Sequence, residues 1–169
     1  MSILTKNEIL KRIKKGNIKI KPFSKNQVGP ASIDLTLGKE FRTFKGWKKA
    51  PVTEDVDYKK FTKLVKVDKF KILEPEDFIL GLTKEKITLP ENICGWLTGR
   101  SRFARLGLSI HITASFIQPG INNKQVLEIK NVSKVPLILY PGTRICQIIL
   151  METLGKGKYE GRFEKQESL

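Results

Sequence analysis

Little in this sequence could hold a metal. It has two Cys, Cys94 and Cys146, and one His, His111. No Cys-x-x-Cys pair occurs, and these three scattered residues cannot build a four-ligand zinc site. Each Cys lies in an apolar, strand-like run, so both read as reduced core residues rather than a disulfide. Long hydrophobic runs are missing too. No stretch approaches a membrane span, and Met1–Gly16 carries charge throughout, which argues against a signal peptide. The expectation is a cytoplasmic enzyme or binding module. Acidic residues are scarce beside basic ones: 17 Asp and Glu against 32 Lys and Arg, a formal net charge of +15. That excess favours polyanionic partners, either nucleic acid or a small polyphosphate. The basic residues are nevertheless spread along the chain (KRIKKGNIKIK, KGWKK, KGKYEGR) and do not stack on one helical face. Most of them read as a solvated, Lys-rich surface.

What is present fits one domain. A length of 169 residues, 40% of them hydrophobic, suffices for one sizeable core. Thr5-Lys-Asn-Glu8 has the form of a capping box, Ile9, Leu10 and Ile13 share one face, and Gly16 supplies a stop. This predicts one short helix over about residues 6–15. From Ile18 the period changes to two. Ala31–Gly38 alternates, Gly38-Lys39 reads as a turn, and Phe41–Phe44 continues the pattern. Residues 45–63 read as a loop. Strands are expected near 64–67, 70–73, 78–82, 93–98, 108–114, 126–132, 136–140 and 144–152, with prolines between several of them. Only the turn Ser101–Leu106 looks helical in the middle of the chain. The pattern predicts a mainly β fold, a barrel or jelly roll, over residues 1–154. Residues 155–169, poor in apolar side chains, form a C-terminal arm, either a loose terminus or one that orders on ligand.

The chemistry concentrates between Gly99 and Glu128. Arg100, Ser101, Arg102 and Arg105 crowd one turn, where free N–H groups and guanidinium forks suit phosphate oxygens. Glu128 stands between Leu127 and Ile129, which alternation puts on the opposite sheet face. A carboxylate on an inner face loses hydration, so its pKa is expected to rise toward a value useful for acid/base work. An outward-facing strand Glu satisfies the same alternation. His111 reads as a hydrogen-bonded structural residue, and Asp34 as a buried, paired one.

These segments carry a family resemblance. GRSRFARLGL, HITASFIQPG, VLEIKN and YPGTRICQII match in order and spacing the motifs of the dCTP deaminase family, within the dUTPase superfamily; GPASIDLTLGKEFRTF resembles its opening segment. The resemblance implies a distorted jelly-roll β-barrel of the dUTPase-like type, assembled as a homotrimer with active sites between subunits. It implies hydrolytic deamination of dCTP to dUTP and ammonia, without zinc, and with Mg²⁺ bound only through the nucleotide triphosphate. By resemblance Glu128 is the general acid/base, and Ser101 with the backbone carbonyl of Ala114 holds the attacking water. Arg100, Ser101, Arg102, Phe103, Ala104 and Arg105 form the triphosphate segment. Val126 and Leu127 contact base and sugar, Gln147 contacts the nucleotide, and Lys158 is a phosphate ligand. dTTP is a candidate effector.

The sequence departs from the family at three places. Arg102 replaces a second Ser, exchanging a small hydroxyl for a charge. Gln118 stands where an Asp is normal; in the dUTP-hydrolysing relatives that Asp activates the water that attacks the α-phosphate. An amide cannot act as that base, although Gln118 can still hydrogen-bond the sugar. In the arm, Lys158-Tyr159-Glu160-Gly161 resembles part of a KYxxQ-like lid motif, but Arg162 replaces its Gln. Two alternatives stand beside dCTP deamination: a dUTP diphosphatase, alone or as a second activity, and a non-catalytic basic protein that binds nucleotides or nucleic acid. The second ranks last, since no DNA- or RNA-binding motif is found.

Overall fold

The computed structural model describes residues 2–46 and 49–169. Met1, Trp47 and Lys48 lie outside the described residues, so the 45–63 loop is described only around the last two. Helix α1 covers Lys6–Lys14. Thr5 takes the N-cap position without a side-chain hydrogen bond. The expected capping box does not form, because Glu8 is engaged by Arg12 at 2.8 Å and Lys11 at 3.2 Å. The helix buries Ile9 and ends at Gly16, whose φ of +77° suits a residue without Cβ.

Eleven strands follow among the described residues. They are β1 (Lys19–Lys21), β2 (Ile33–Phe44), β3 (Thr62–Lys66), β4 (Lys71–Leu73), β5 (Phe78–Thr88) and β6 (Ile93–Gly99). After the single helical turn α2 (Ser101–Ala104) come β7 (Leu108–Ser109), β8 (Phe116–Ile117), β9 (Asn122–Asn131), β10 (Leu137–Leu139) and β11 (Arg144–Glu152). A curled antiparallel sheet runs in the order β7-β9-β5-β2-β11-β6-β8, with β1 on β5 and β3 on β2; β4 and β10 form a separate ribbon. The mainly β expectation holds.

Two sequence expectations are corrected here. Gly38-Lys39 is not a turn: β2 runs straight through it, with a register shift against β5 between Leu37 and Phe41. A Cβ on Gly38 would lie 2.8 Å from the Leu82 carbonyl oxygen, so the glycine permits close approach of the next strand. The strand expected at 108–114 stops at Ser109. The next backbone N–H groups, at Ile112 and Thr113, turn to a side chain instead of a neighbouring strand.

The core is built from the alternating inner positions. Ile33, Leu35, Leu37 and Phe41 of β2, Leu127 and Ile129 of β9, and Cys146 and Ile148 of β11 are fully buried. Each large apolar side chain among them contributes about 1.5–3 kcal/mol by leaving water. Both Cys are free and buried, and burial pushes the Cys146 thiol well above its ordinary range. Glu85, buried where β5 shifts register against β9, accepts hydrogen bonds from Gln27 Nε2 at 2.7 Å and Thr36 N at 2.8 Å.

The arm has no strand or helix, yet it is docked. Tyr159 N donates to Pro119 O at 3.0 Å, Asn123 Nδ2 to Phe163 O at 2.8 Å, and Lys124 N to Gln166 O at 2.9 Å. Leu169 is 3% exposed. No helix among the described residues is long and apolar enough to cross a membrane.

Candidate active site

Strand β9 sets the site. Its period of two sends Leu127 and Ile129 into the core and turns Lys124, Val126 and Glu128 to the other face. Glu128 therefore points away from the chain's own core, but it does not stand in open water: its side chain is 17% exposed. The segment after β7 folds over it. Oε2 accepts the backbone N–H of Thr113 at 2.7 Å and of Ile112 at 2.9 Å, and the Thr113 hydroxyl lies 3.2 Å away. Oε1 has only that hydroxyl, at 3.1 Å. Oε2 takes both backbone N–H groups, and Oε1 is left with capacity to spare.

The expected rise in the Glu128 pKa is overturned. Burial does push it up, and is the largest single influence. The N–H groups of Thr113 and Ile112 and the nearby His111 together outweigh it, so the carboxyl is held below its ordinary range. Glu128 is ionised at neutral pH.

Glu128 opens on a cavity of about 420 Å³ that Ala114, Gln118 and Val126 also line. Those four sequence-predicted residues are brought together. Leu127 is not: its side chain is fully buried on the core face and it does not line the cavity. Gln147 is elsewhere, its amide taken up by Ser32 Oγ at 2.8 Å and by the Gly99 carbonyl at 3.2 Å. Lys158 is exposed, beside the turn at Gly120, with Glu160 at 3.7 Å.

The phosphate-type turn does not border this cavity. Ser101, Arg102 and Ala104 are exposed on α2 and Arg105 at its C-cap, while Phe103 packs against the core. Arg100 is already committed. It pairs with Asp34 at 3.1 Å and donates to the Arg144 carbonyl at 2.7 Å, so it fixes the entry to α2. Asp34 is thus the paired residue expected of it. Within one chain, the basic turn and the carboxylate occupy separate surfaces.

Sequence reasoning missed part of the cavity. Its wall includes His111, and Tyr58, Tyr159, Phe163 and Gln166 come from the 45–63 loop region and the arm. His111 departs from the hydrogen-bonded role expected of it: its Nδ1 is buried without a hydrogen-bond partner. Only Tyr159, inside the KY motif, carried a signal in the sequence. Among the lining residues Glu128 is the sole carboxylate. No group of three or more His, Cys, Asp or Glu that could hold a metal occurs among the described residues.

A curled antiparallel sheet with this strand order belongs to the fold shared by dCTP deaminases and dUTPases. The chain superposes on 2′-deoxycytidine 5′-triphosphate deaminase from Agrobacterium tumefaciens with a TM-score of 0.70 at 24% identity, over 88% of this chain and 47% of that one. It thus spans about half the length of that protein. A dUTPase of Staphylococcus bacteriophage 80alpha superposes at a TM-score of 0.52 and 16% identity, over 86% of this chain and 96% of that one. Sequence narrows the class. The dCTP deaminase-like family model matches residues 3–153. A dUMP-forming dCTP deaminase of Kocuria rhizophila is 34% identical over 97% of this chain and 90% of its own length. One from Methanosphaera stadtmanae is 38% identical over 88% of this chain and 78% of its own length. The chain belongs to the dCTP deaminase-like family.

Proposed function

We propose that this protein is a cytoplasmic enzyme that hydrolytically deaminates dCTP, with Glu128 as the general acid/base. The observation that carries the reading is a carboxylate, held by two backbone N–H groups, facing a cavity large enough for a pyrimidine nucleoside. Oε1, the oxygen with spare capacity, takes a proton from water as the oxygen adds to C4 of cytosine. The proton then passes to the 4-amino group, the C–N bond breaks to release ammonia, and the second proton of the water moves from the C4 hydroxyl to N3 as the C4 carbonyl forms. Ser101 and the Ala114 carbonyl hold the water.

The triphosphate needs the basic turn, and in one chain that turn faces another surface. A homotrimer resolves this, each site taking Glu128 from one subunit and Ser101, Arg102 and Arg105 from its neighbour. Mg²⁺ arrives with the phosphates, neutralising their charge. dTTP, a pyrimidine nucleotide with the same triphosphate, is the candidate effector of this site.

The lead reading ends at dUTP. A cavity with a single carboxylate has one base to offer, and Gln118 cannot supply a second for attack on phosphorus. The relatives' designation as dUMP-forming favours a second reading, in which the same site goes on to release pyrophosphate. One assay separates them. Incubation with dCTP yields ammonia in both; dUTP accumulates in the first, and dUMP with pyrophosphate in the second. Absence of ammonia, together with pyrophosphate from added dUTP, overturns deamination itself.

A further inference from the structure

His111 holds the one buried imidazole nitrogen, among the described residues, that has no hydrogen bond. Its side chain is 5% exposed and its Nδ1 is sealed from solvent. That nitrogen lies 3.4 Å from Glu128 Oε2, off the hydrogen-bond direction. A polar atom buried without a partner costs on the order of 1–3 kcal/mol, so its placement needs a reason. The surroundings supply one. The donors on either side of the contact, Ile112 N and Thr113 N, already converge on the same oxygen. The imidazole is the remaining group that can follow a change in charge there, and its ring also borders the cavity.

We infer that His111 is a positioning residue for Glu128: a turn of the ring from its 3.4 Å contact brings Nδ1–H onto Oε2 of the ionised carboxylate, and the ring relaxes again when Glu128 carries the proton. The effect is to keep Oε2 as the anchored oxygen in both states and to reserve Oε1 for the water and the leaving amine. Few other charges face this contact. The 112–114 segment and Ser109 on β7 carry no ionisable group. Tyr58 and Tyr159 border the same cavity, as does Lys124 on β9, while Lys130 beyond Glu128 is paired with Glu76 at 2.9 Å. The inference rests on the deaminase reading, since Oε1 matters only if it shuttles protons.

Because the chain has one His, its ring gives a single, unambiguous pair of ¹⁵N resonances. The full chain, labelled in histidine, is titrated by NMR as wild type and as Glu128→Gln. The expected wild-type result is an inflection of the Nδ1 shift at acid pH, below the ordinary carboxylate range, that Glu128→Gln abolishes. An Nδ1 shift with no such inflection, or one retained in Glu128→Gln, overturns the inference. Kinetics supply the second arm. His111→Ala lowers kcat for ammonia release on the order of 100-fold with KM for dCTP little changed. His111→Asn, whose amide N–H can reach the Nδ1 position, recovers most of that loss. A raised KM with kcat intact in His111→Ala would make the ring a mere binding wall and overturn the role. The NMR titration needs no turnover, so its failure rejects the His111 role alone. A wild type that makes no ammonia from dCTP rejects the function beneath it.

Discussion

The proposed division of the site between neighbours makes a quantitative forecast about mixed oligomers. Glu128 opens on the cavity of its own chain, while Arg105 stands at the C-terminal end of α2, outside that cavity. Glu128→Gln keeps an oxygen that can accept the N–H groups of Ile112 and Thr113, so the fold should persist while proton transfer is lost, at a cost of about 10²–10⁴ in rate. Arg105→Ala removes a charge-assisted contact to phosphate, about 1.5–3 kcal/mol, and leaves the core untouched. Each variant alone is nearly inactive. In an equal mixture of the two, a site works only when an Arg105→Ala chain supplies Glu128 and a Glu128→Gln chain supplies Arg105. Random assembly of closed rings gives that pairing at roughly a quarter of the sites. The assay is ammonia release after the variants are refolded together, with native mass spectrometry verifying subunit exchange. Verified mixed trimers with no recovered activity would refute the division, because that result requires both residues to act within one chain.

Three other outcomes follow from named contacts. The native state holds the Glu128 proton more weakly than the unfolded chain does, so its hydrogen bonds stabilise the fold above the unfolded pKa and are lost as pH falls through the lower folded value. Thermal melts across the acid range should show this dependence in wild type and a weaker one in Glu128→Gln; equal slopes would count against the hydrogen-bond geometry. Gln118→Asp gives the cavity a second carboxylate, and pyrophosphate release from dUTP should rise, measured by a coupled colorimetric assay. No rise would mean that the turn at Gln118 does not meet the phosphates. Gly107→Ala forces a residue at φ +81° to carry a Cβ 2.5 Å from Ser133 Cβ and 2.9 Å from Ser133 N. The expected cost is about 2 kcal/mol or more, a fall in Tm of about 4–8 °C by calorimetry; an unchanged Tm would contradict the packing of α2 against the end of β9.

How much of this was legible in the sequence varies with the physics behind each feature. The period of two around Glu128 was clear, and it correctly opposed that residue to Leu127 and Ile129. Alternation says which residues share a face, but not what covers it. The cover comes from Ile112 and Thr113, 16 and 15 residues away in the chain. Their N–H groups, together with His111, reverse the direction of the pKa shift that burial alone predicts. Gly38-Lys39 misled because a glycine that admits a neighbouring strand reads like one that makes a turn. Arg100 misled for a different reason: a guanidinium beside Gly and Ser looks free to bind phosphate until Asp34, brought from β2, occupies it. The arm could not be read, since its few apolar residues find their partners only across the finished sheet.

The most direct test compares ammonia release from dCTP by wild type and Glu128→Gln under saturating substrate. The account predicts ammonia in step with dCTP loss for wild type and a rate lower by about 10²–10⁴ for the variant, with nucleotide binding retained. A variant that releases ammonia as fast as wild type would contradict it, because the proton would then be moving through some other group.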